Sequence, residues 1–394
     1  MRILTLLTYY APHISGLSVY ARRIVSGLTA RGHSVTLVTS RYDPGLPAEE
    51  RIDGVRVLRS RVWFRLNKGV FMPGYIVRAC RELHHHDVLY LHLPQIEAAP
   101  IALYARLLAR KPIVTTYHCD LELPRGFTRW LFTPLIKLSH FVTFLLSHRV
   151  VANTEDYVRG SRFLRHFAHR IEISYPPCVP PESDTATALP FAIDPRTPLI
   201  GFVGRFAEEK GIQYLIEAAP LVLQRVPDAV FAFVGERERV FGERVFERLR
   251  HRIEALGDHV RLLGVVTDAE LARFYRRVNV LALPSTNSTE SFGMVQVEAM
   301  LCGAPVVATD IPGVREAVRA TGMGKLVPPR DARALAEGIV DVLEHRDHFA
   351  HARTPPELDA IFGLERAVQY YEALLESVAS RRLAEREAPV VTIE

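Results

Sequence analysis

The sequence is 394 residues long, 48 % hydrophobic and 24 % charged, too long for one ordinary core and made up like a globular chain of about two domains. Its four cysteines, Cys80, Cys119, Cys178 and Cys302, lie far apart without CxxC or metal-ligand spacing, which excludes a disulfide framework and predicts free thiols in a reducing, cytoplasmic setting. Lys+Arg outnumber Asp+Glu 24 to 12 over residues 1–180 and are outnumbered 25 to 32 over the rest, so one half is built to meet anions.

The opening run MRILTLLTYYAPH has a short apolar core but no small-residue cleavage site, and it reads as a first β-strand rather than a signal peptide. HSVTLVTS, VRVLRS, DVLYLHL, PIVTTYH, RVVANT and IEISY follow, separated by helical patterns. Apolar strands between amphipathic helices predict a parallel sheet covered on both faces, a doubly wound α/β domain over residues 1–175. The triplet His84, His85 and His86 ends a helix before a strand, completes no metal-like set and reads as surface. Leu131 to Leu146 is the longest apolar segment, but Pro134, Lys137 and His140 interrupt it, and it falls short of the roughly 20 residues a spanning helix needs.

Residues 176–198, PPCVPPESDTATALPFAIDPRTP, are proline-rich and aperiodic and predict a linker. The strand pattern then restarts. PLIGFVG, AVFAFVG, HVRLLG, VNVLALPS and PVVATD are five more strands, giving a second α/β domain over residues 199–362. Residues 363–394 hold a helical segment, LERAVQYYEALLESVASRRLAERE, and a loose tail, APVVTIE. Two doubly wound domains leave a cleft at the carboxyl ends of their strands, where such folds bind ligands.

In GFVGRFAEEKG a strand ends at Gly201 to Gly204, and Arg205 and Lys210 follow before a helix. Glycines admit a ligand close to the backbone, and a guanidinium beside an ammonium can grip a diphosphate. Taken alone, the run reads equally well as a solvated loop, and it matches neither the GxGxxG nor the Walker pattern. The second run is ESFGMVQVE, Glu290 to Glu298. Gly293 near a helix start, with the amides of Phe292, Gly293 and Met294 and the positive end of the helix dipole, makes an anion site. At about 1.5 Å per helical residue the two glutamates stand roughly 10 Å apart, the reach of a diphosphate from sugar to ribose. Each glutamate alone also reads as an ordinary helix-start or exposed-face acid.

Together, VGRFAEEKG, LPSTNSTESFGMVQVEAMLCGAPVVATDIPGVREAV and the domain pattern resemble the retaining glycosyltransferases of family 4. Those enzymes have the GT-B fold, two doubly wound Rossmann-like α/β domains facing each other across a cleft. The likeness covers nearly the whole chain and implies that Arg205 and Lys210 hold the donor diphosphate. It further implies that Glu298 binds ribose hydroxyls and Glu290 hydroxyls of the donor sugar, with Ser291, Phe292, Gly293 and Met294 around sugar and phosphate. Gly204 would let the donor approach, and Gly235-Glu236 and Leu263 to Val265 would receive the nucleobase through main-chain groups. In TTYHCD the resemblance makes His118 the histidine that faces the reacting sugar. Where the family shows two glycines after the first strand, this sequence reads PHISGLSVY, with Ser15 before Gly16, so the roles of His13 to Leu17 are left open and close approach falls to Gly16.

The reaction so implied is transfer of a hexose from a UDP- or GDP-sugar to an acceptor hydroxyl with retention, without metal or further cofactor. With both glutamates assigned to hydroxyls no protein nucleophile remains, so attack from the leaving-group face is expected. Cationic, aromatic-rich stretches, Arg51 to Arg81 and Leu123 to Leu146, suit an anionic membrane face carrying a glycolipid, lipid-linked or polysaccharide acceptor of cell-envelope synthesis, and equally a buried helix with a solvated rim. No nucleic-acid motif accompanies the charge. Two rivals share the architecture: a sugar-nucleotide epimerase, which needs acid/base groups at C2 of the sugar, and a binding protein without turnover.

Overall fold

The computed structural model describes residues 1–66, 69–122, 127–182, 189, 191–238, 240 and 243–387. The chain divides into two compact units, Met1–Pro177 with the segment from Leu364, and Cys178–Gly363.

The first unit is built on β1 (Arg2–Leu6), β2 (Ser34–Arg41), β3 (Glu49–Ile52), β4 (Val55–Arg61), β5 (Phe64–Leu66), β6 (Gly69–Phe71), β7 (Val88–Leu93), β8 (Ile113–Tyr117), β9 (Arg149–Ala152) and β10 (Ile171–Ile173). Eight of these form one sheet in the order β10-β9-β8-β7-β1-β2-β4-β3. All pairs are parallel except β3 with β4. Every residue of β7 and of β8 is buried, as expected of strands with helices on both faces. The strands missed by pattern reading have physical reasons. EERI in β3 alternates charge with half-exposure and sits at the sheet edge, where charged residues discourage further pairing. The β5–β6 hairpin stands apart as a two-stranded ribbon.

The second unit carries β11 (Leu199–Val203), β12 (Val230–Val234), β13 (Val260–Gly264), β14 (Val280–Leu283), β15 (Val306–Thr309) and β16 (Gly324–Val327). They make one parallel sheet in the order β13-β12-β11-β14-β15-β16. β16, with sequence GKLV, is a sixth strand beyond the five expected; it is an edge strand whose Lys325 pairs with Asp341 at 2.6 Å. β11 and β12 are buried throughout.

Of the proline-rich segment, residues 183–188 and 190 lie outside the described residues, as does the tail 388–394. What is described of it docks on the second unit: Cys178 N donates to Phe362 O at 2.8 Å, and Arg277 Nη2 donates to Asp194 O and Thr197 O at 2.8 and 2.7 Å. The last helix, Leu364–Glu387, instead returns to the first unit. Its Tyr371 is fully buried there, and its Glu372 pairs with Arg31 and accepts from His33 Nε2 at 2.8 Å. Glu376 joins them, so three possible ligand atoms of His33, Glu372 and Glu376 lie within 4.8 Å; Arg31 already balances this charge.

One surface reading changes. His84 and His85 are exposed, but His86 is buried, with Nδ1 2.6 Å from Glu82 O, and burial lowers its pKa. No disulfide joins Cys80, Cys119, Cys178 or Cys302. Among the described residues no helix is long and apolar enough to cross a membrane.

Candidate active site

In the second unit the strand order reverses between β11 and β14, and the carboxyl ends flanking such a reversal are where doubly wound sheets bind ligands. Both runs singled out in the sequence end up at this point. Arg205 and Lys210 follow β11, while Glu290 to Met294 follow β14.

Backbone hydrogen bonds sew the neighbouring loops into a row. Gly204 N donates to Val234 O at 2.9 Å, Phe206 N to Glu236 O at 2.8 Å and Gly235 N to Gly264 O at 2.7 Å. Gly204, Glu236 and Gly264, which stands between Leu263 and Val265, are thereby brought to adjacent strand ends. The Glu236 carboxylate accepts from the amides of Arg237 and Glu238, both at 3.1 Å, and so caps its own turn, while the Val265 side chain is exposed.

The loop after β11 is locked to the loop after β14. Thr286 N donates to Glu209 O at 2.9 Å. At Gly211 the backbone has φ +66°, and a Cβ there would stand 1.9 Å from Pro284 O. Only glycine meets both demands. We expect Gly211→Ala to cost about 3 kcal/mol, combining left-handed strain with an overpacked contact, and to lower the melting temperature of the second unit by roughly 6–12 °C. An unchanged calorimetric transition would contradict this packing.

Each cation has an acidic partner. Lys210 Nζ bonds Glu290 Oε2, with the two side chains 18 % and 14 % exposed. Arg205 Nη2 donates to Glu209 Oε1 at 2.9 Å, and Glu209 is buried. Pattern reading passed over Glu209 as one of two loop acids in AEEK; its burial beside Arg205 gives it the work of aiming the guanidinium.

The helix after the loop is Met294–Leu301, with Gly293 at its start in the left-handed region, φ 77° and ψ 68°. A Cβ on Gly293 would lie 2.5 Å from Leu283 Cδ2. The 1.5 Å helical rise therefore applies only from Met294 onward, and Glu290 lies in the turn before it, its N–H donating to Asn287 O at 3.2 Å. Buried Gln296, also passed over, donates to Phe292 O and, at 2.9 Å, to Val314 O, fixing the peptide at the helix entrance. Ser291 is buried, and the Phe292 ring packs 5.7 Å from that of Phe362. Glu298 is not an exposed helix acid: it is 6 % exposed and accepts from Tyr275 Oη at 3.3 Å.

In the first unit Gly16 opens the Gly16–Ala30 helix, and Ser15 is its N-cap. Ser15 Oγ accepts from Ser18 N at 3.2 Å while Ser18 Oγ accepts from Ser15 N at 2.8 Å, a reciprocal capping box. That is the local reason a serine can stand where the related family shows glycine. His118 lies one residue past β8, its N–H donating to Leu93 O at 2.9 Å. It is 5 % exposed, and burial pushes its pKa down to about 3, so the imidazole is neutral.

Comparison with known proteins fits this geometry. Residues 15–176 match the model of the glycosyl transferase 4-like domain and residues 197–345 that of glycosyl transferases group 1. A D-inositol 3-phosphate glycosyltransferase from Pseudarthrobacter chlorophenolicus is 34 % identical over 355 residues, 82 % of this chain and 81 % of its own. A phosphatidyl-myo-inositol mannosyltransferase from Mycobacterium tuberculosis is 28 % identical over 350 residues, 88 % of each. Among solved structures, a sucrose-phosphate synthase from Thermosynechococcus elongatus aligns with a TM-score of 0.77 at 21 % identity, covering 96 % of this chain and 99 % of that one. Anabaena HepE in complex with UDP-glucose aligns at 0.72, also 21 % identical, covering 96 % and 100 %. The fold is that of the GT-B glycosyltransferases. The chain belongs to the group 1 glycosyl transferases and is a glycosyltransferase of the family 4 type.

Proposed function

We propose that this chain transfers a hexose from a nucleoside diphosphate sugar to an acceptor hydroxyl with retention of anomeric configuration and without a metal ion or other cofactor. The observation that carries the reading is the convergence of Arg205, Lys210, Glu290, Glu298 and the start of the Met294–Leu301 helix on one strand-order reversal. As the glycosidic bond breaks, the cations and the helix dipole stabilise the departing diphosphate charge. Glu290 and Glu298 accept hydroxyls of sugar and ribose. The leaving phosphate takes the acceptor proton on the same face, so trapping a covalent glycosyl-enzyme would exclude the scheme. HepE, solved with UDP and with UDP-glucose, supports this donor class.

A thermal-shift panel of UDP-, GDP- and ADP-sugars tests the donor reading. The correct one, at a hundred times its Kd, adds about 2.7 kcal/mol to stability; no response to any of the three sinks the proposal.

On the acceptor side we place a glycolipid or lipid-linked anion at the inner face of a membrane, with the enzyme bound peripherally. Relatives named for phosphatidyl-myo-inositol and for D-inositol 3-phosphate support an anionic acceptor. So does the surface of the first unit. Trp63, Phe64 and Phe71 on the β5–β6 hairpin are exposed beside Arg61 and Arg65, and the Phe127–Leu146 helix exposes Trp130 and Leu138. Asn67, Lys68 and residues 123–126 of these stretches lie outside the described residues. Such amphipathic, cationic surfaces bind anionic interfaces. In flotation, vesicles containing phosphatidylserine should carry the protein and neutral vesicles should not; equal binding removes the electrostatic part of the reading.

A further inference from the structure

We infer that His92 is a positioning residue for His118, engaging one edge of its ring so that a single nitrogen is left to meet substrate. The inference rests on the proposed reading of His118 as the group facing the reacting sugar. Nδ1 of His92 lies 2.9 Å from Nε2 of His118, and the ring planes are inclined by 21° with centroids 5.2 Å apart. His92 sits on β7, beside β8 in register with Thr116, so two neighbouring strands present the imidazoles to each other.

His92 is fully buried, and its Nε2 has no hydrogen-bond partner among the described residues. Among the described residues its bond to His118 is the one hydrogen bond this imidazole makes, beside a ring contact with Tyr90 at 4.4 Å. Burial keeps both rings neutral. Between two neutral imidazoles one nitrogen donates and the other accepts. Whichever carries the shared proton, Nε2 of His118 is occupied and Nδ1 is its remaining polar atom.

The plane of the ring is fixed as well. Tyr20 meets His118 edge-on at 4.7 Å and 85°. Tyr20 Oη is in turn 2.8 Å from Tyr371 Oη, which lies 2.8 Å from Thr116 Oγ1, two residues before His118. A ring flip would turn a carbon edge toward His92 and lose the bond. A histidine ring is otherwise loosely held about χ2, and small misplacements of a group in a reacting site lower rate steeply.

The test uses the full chain with two variants. His92→Phe keeps the ring volume and removes the bond, whereas His92→Gln offers both a donor and an acceptor. We expect His92→Phe to lower kcat roughly 10- to 100-fold with the donor KM unchanged, and His92→Gln to recover most of it. In ¹⁵N-histidine protein, long-range proton–nitrogen spectra should show His118 as one fixed neutral tautomer in the wild type and as a mixture of tautomers in His92→Phe. Identical His118 signals in wild type and His92→Phe overturn the inference, as does a kcat loss in His92→Gln equal to that in His92→Phe. The spectra need no turnover. Tautomer mixing in His92→Phe, together with no transfer by the wild type, would therefore reject the transferase reading and leave the positioning role standing.

Discussion

Lys210→Ala lowers kcat by roughly 10²- to 10³-fold, the usual cost of removing one preorganised charge from a developing anion. The reason lies in where Lys210 sits. It is 18 % exposed, fixed by Glu290, and located at the strand-order reversal beside the helix entrance. In such a partly dehydrated place a cation acts on a departing diphosphate more strongly than a solvated one. The pairing also makes a sharper statement about Glu290. Glu290 pairs with the cation that the donor diphosphate would need. Glu290→Gln therefore releases Lys210 while losing a strong acceptor for the sugar, so kcat falls and the donor KM falls or stays level instead of rising. Steady-state rates of nucleotide release over a donor titration check both variants. A Lys210→Ala enzyme with wild-type kcat, or a Glu290→Gln enzyme with only a raised KM, would show that the two residues do not share the diphosphate site.

The second large effect is on stability against acid. Three imidazoles of the first unit, His92, His118 and His140, are buried neutral; burial takes His118 and His140 down to about 3 and His92 well below its ordinary value. Because the folded pKa values are depressed, the unfolded chain binds more protons than the native one between the ordinary histidine pKa of about 6.5 and the folded values. Stability is therefore full above pH ~6.5 and drains away as the pH falls below it. At pH 5 His118 and His140 each remove about 2 kcal/mol, against a total of about 5–15 kcal/mol for a typical domain, and His92 acts in the same direction. Peptide-resolved hydrogen exchange at several pH values should show the first unit opening progressively more easily on acidification. His140→Phe, which removes one of the three where its ring already meets Tyr117 and Phe163, should lower the pH slope by about 1.4 kcal/mol per pH unit between pH ~6 and ~4. A slope unaltered by that substitution would place the acid sensitivity in other groups.

The parts of this molecule legible from sequence are those whose signal is local. PLIGFVG and VNVLALPS mark β11 and β14 because apolar runs bounded by Gly, Pro or Ser have few other uses. Arg205, Lys210, Gly293 and Glu290 could be singled out because loop residues that follow such strands face the ligand side. Glu209, Gln296 and His92 were not legible. Each is a polar residue whose meaning depends on burial against a partner distant in sequence or on another element, and burial is not written in periodicity. AEEK looks like solvated charge, yet Glu209 is inside; DVLYLHL looks like an apolar strand, yet its histidine is paired. The helical pattern from Leu364 was equally plain, but nothing in its amphipathicity names the unit it packs against. That is decided by Tyr371 meeting Tyr20 and Thr116, contacts spanning 351 and 255 residues.

The path of the chain has a practical corollary. Segments of the first unit flank Cys178–Gly363 on both sides, and Cys178 and Gly363 pair as neighbours in a parallel bridge. One α/β domain is thus spliced into another, with its two junctions side by side, the arrangement in which domain insertion is best tolerated. Swapping the Cys178–Gly363 domain between related enzymes calls for two cuts, at 177/178 and 363/364, and not one. Trimming the chain from its carboxyl terminus would strike the amino-terminal domain first, through the loss of Tyr371.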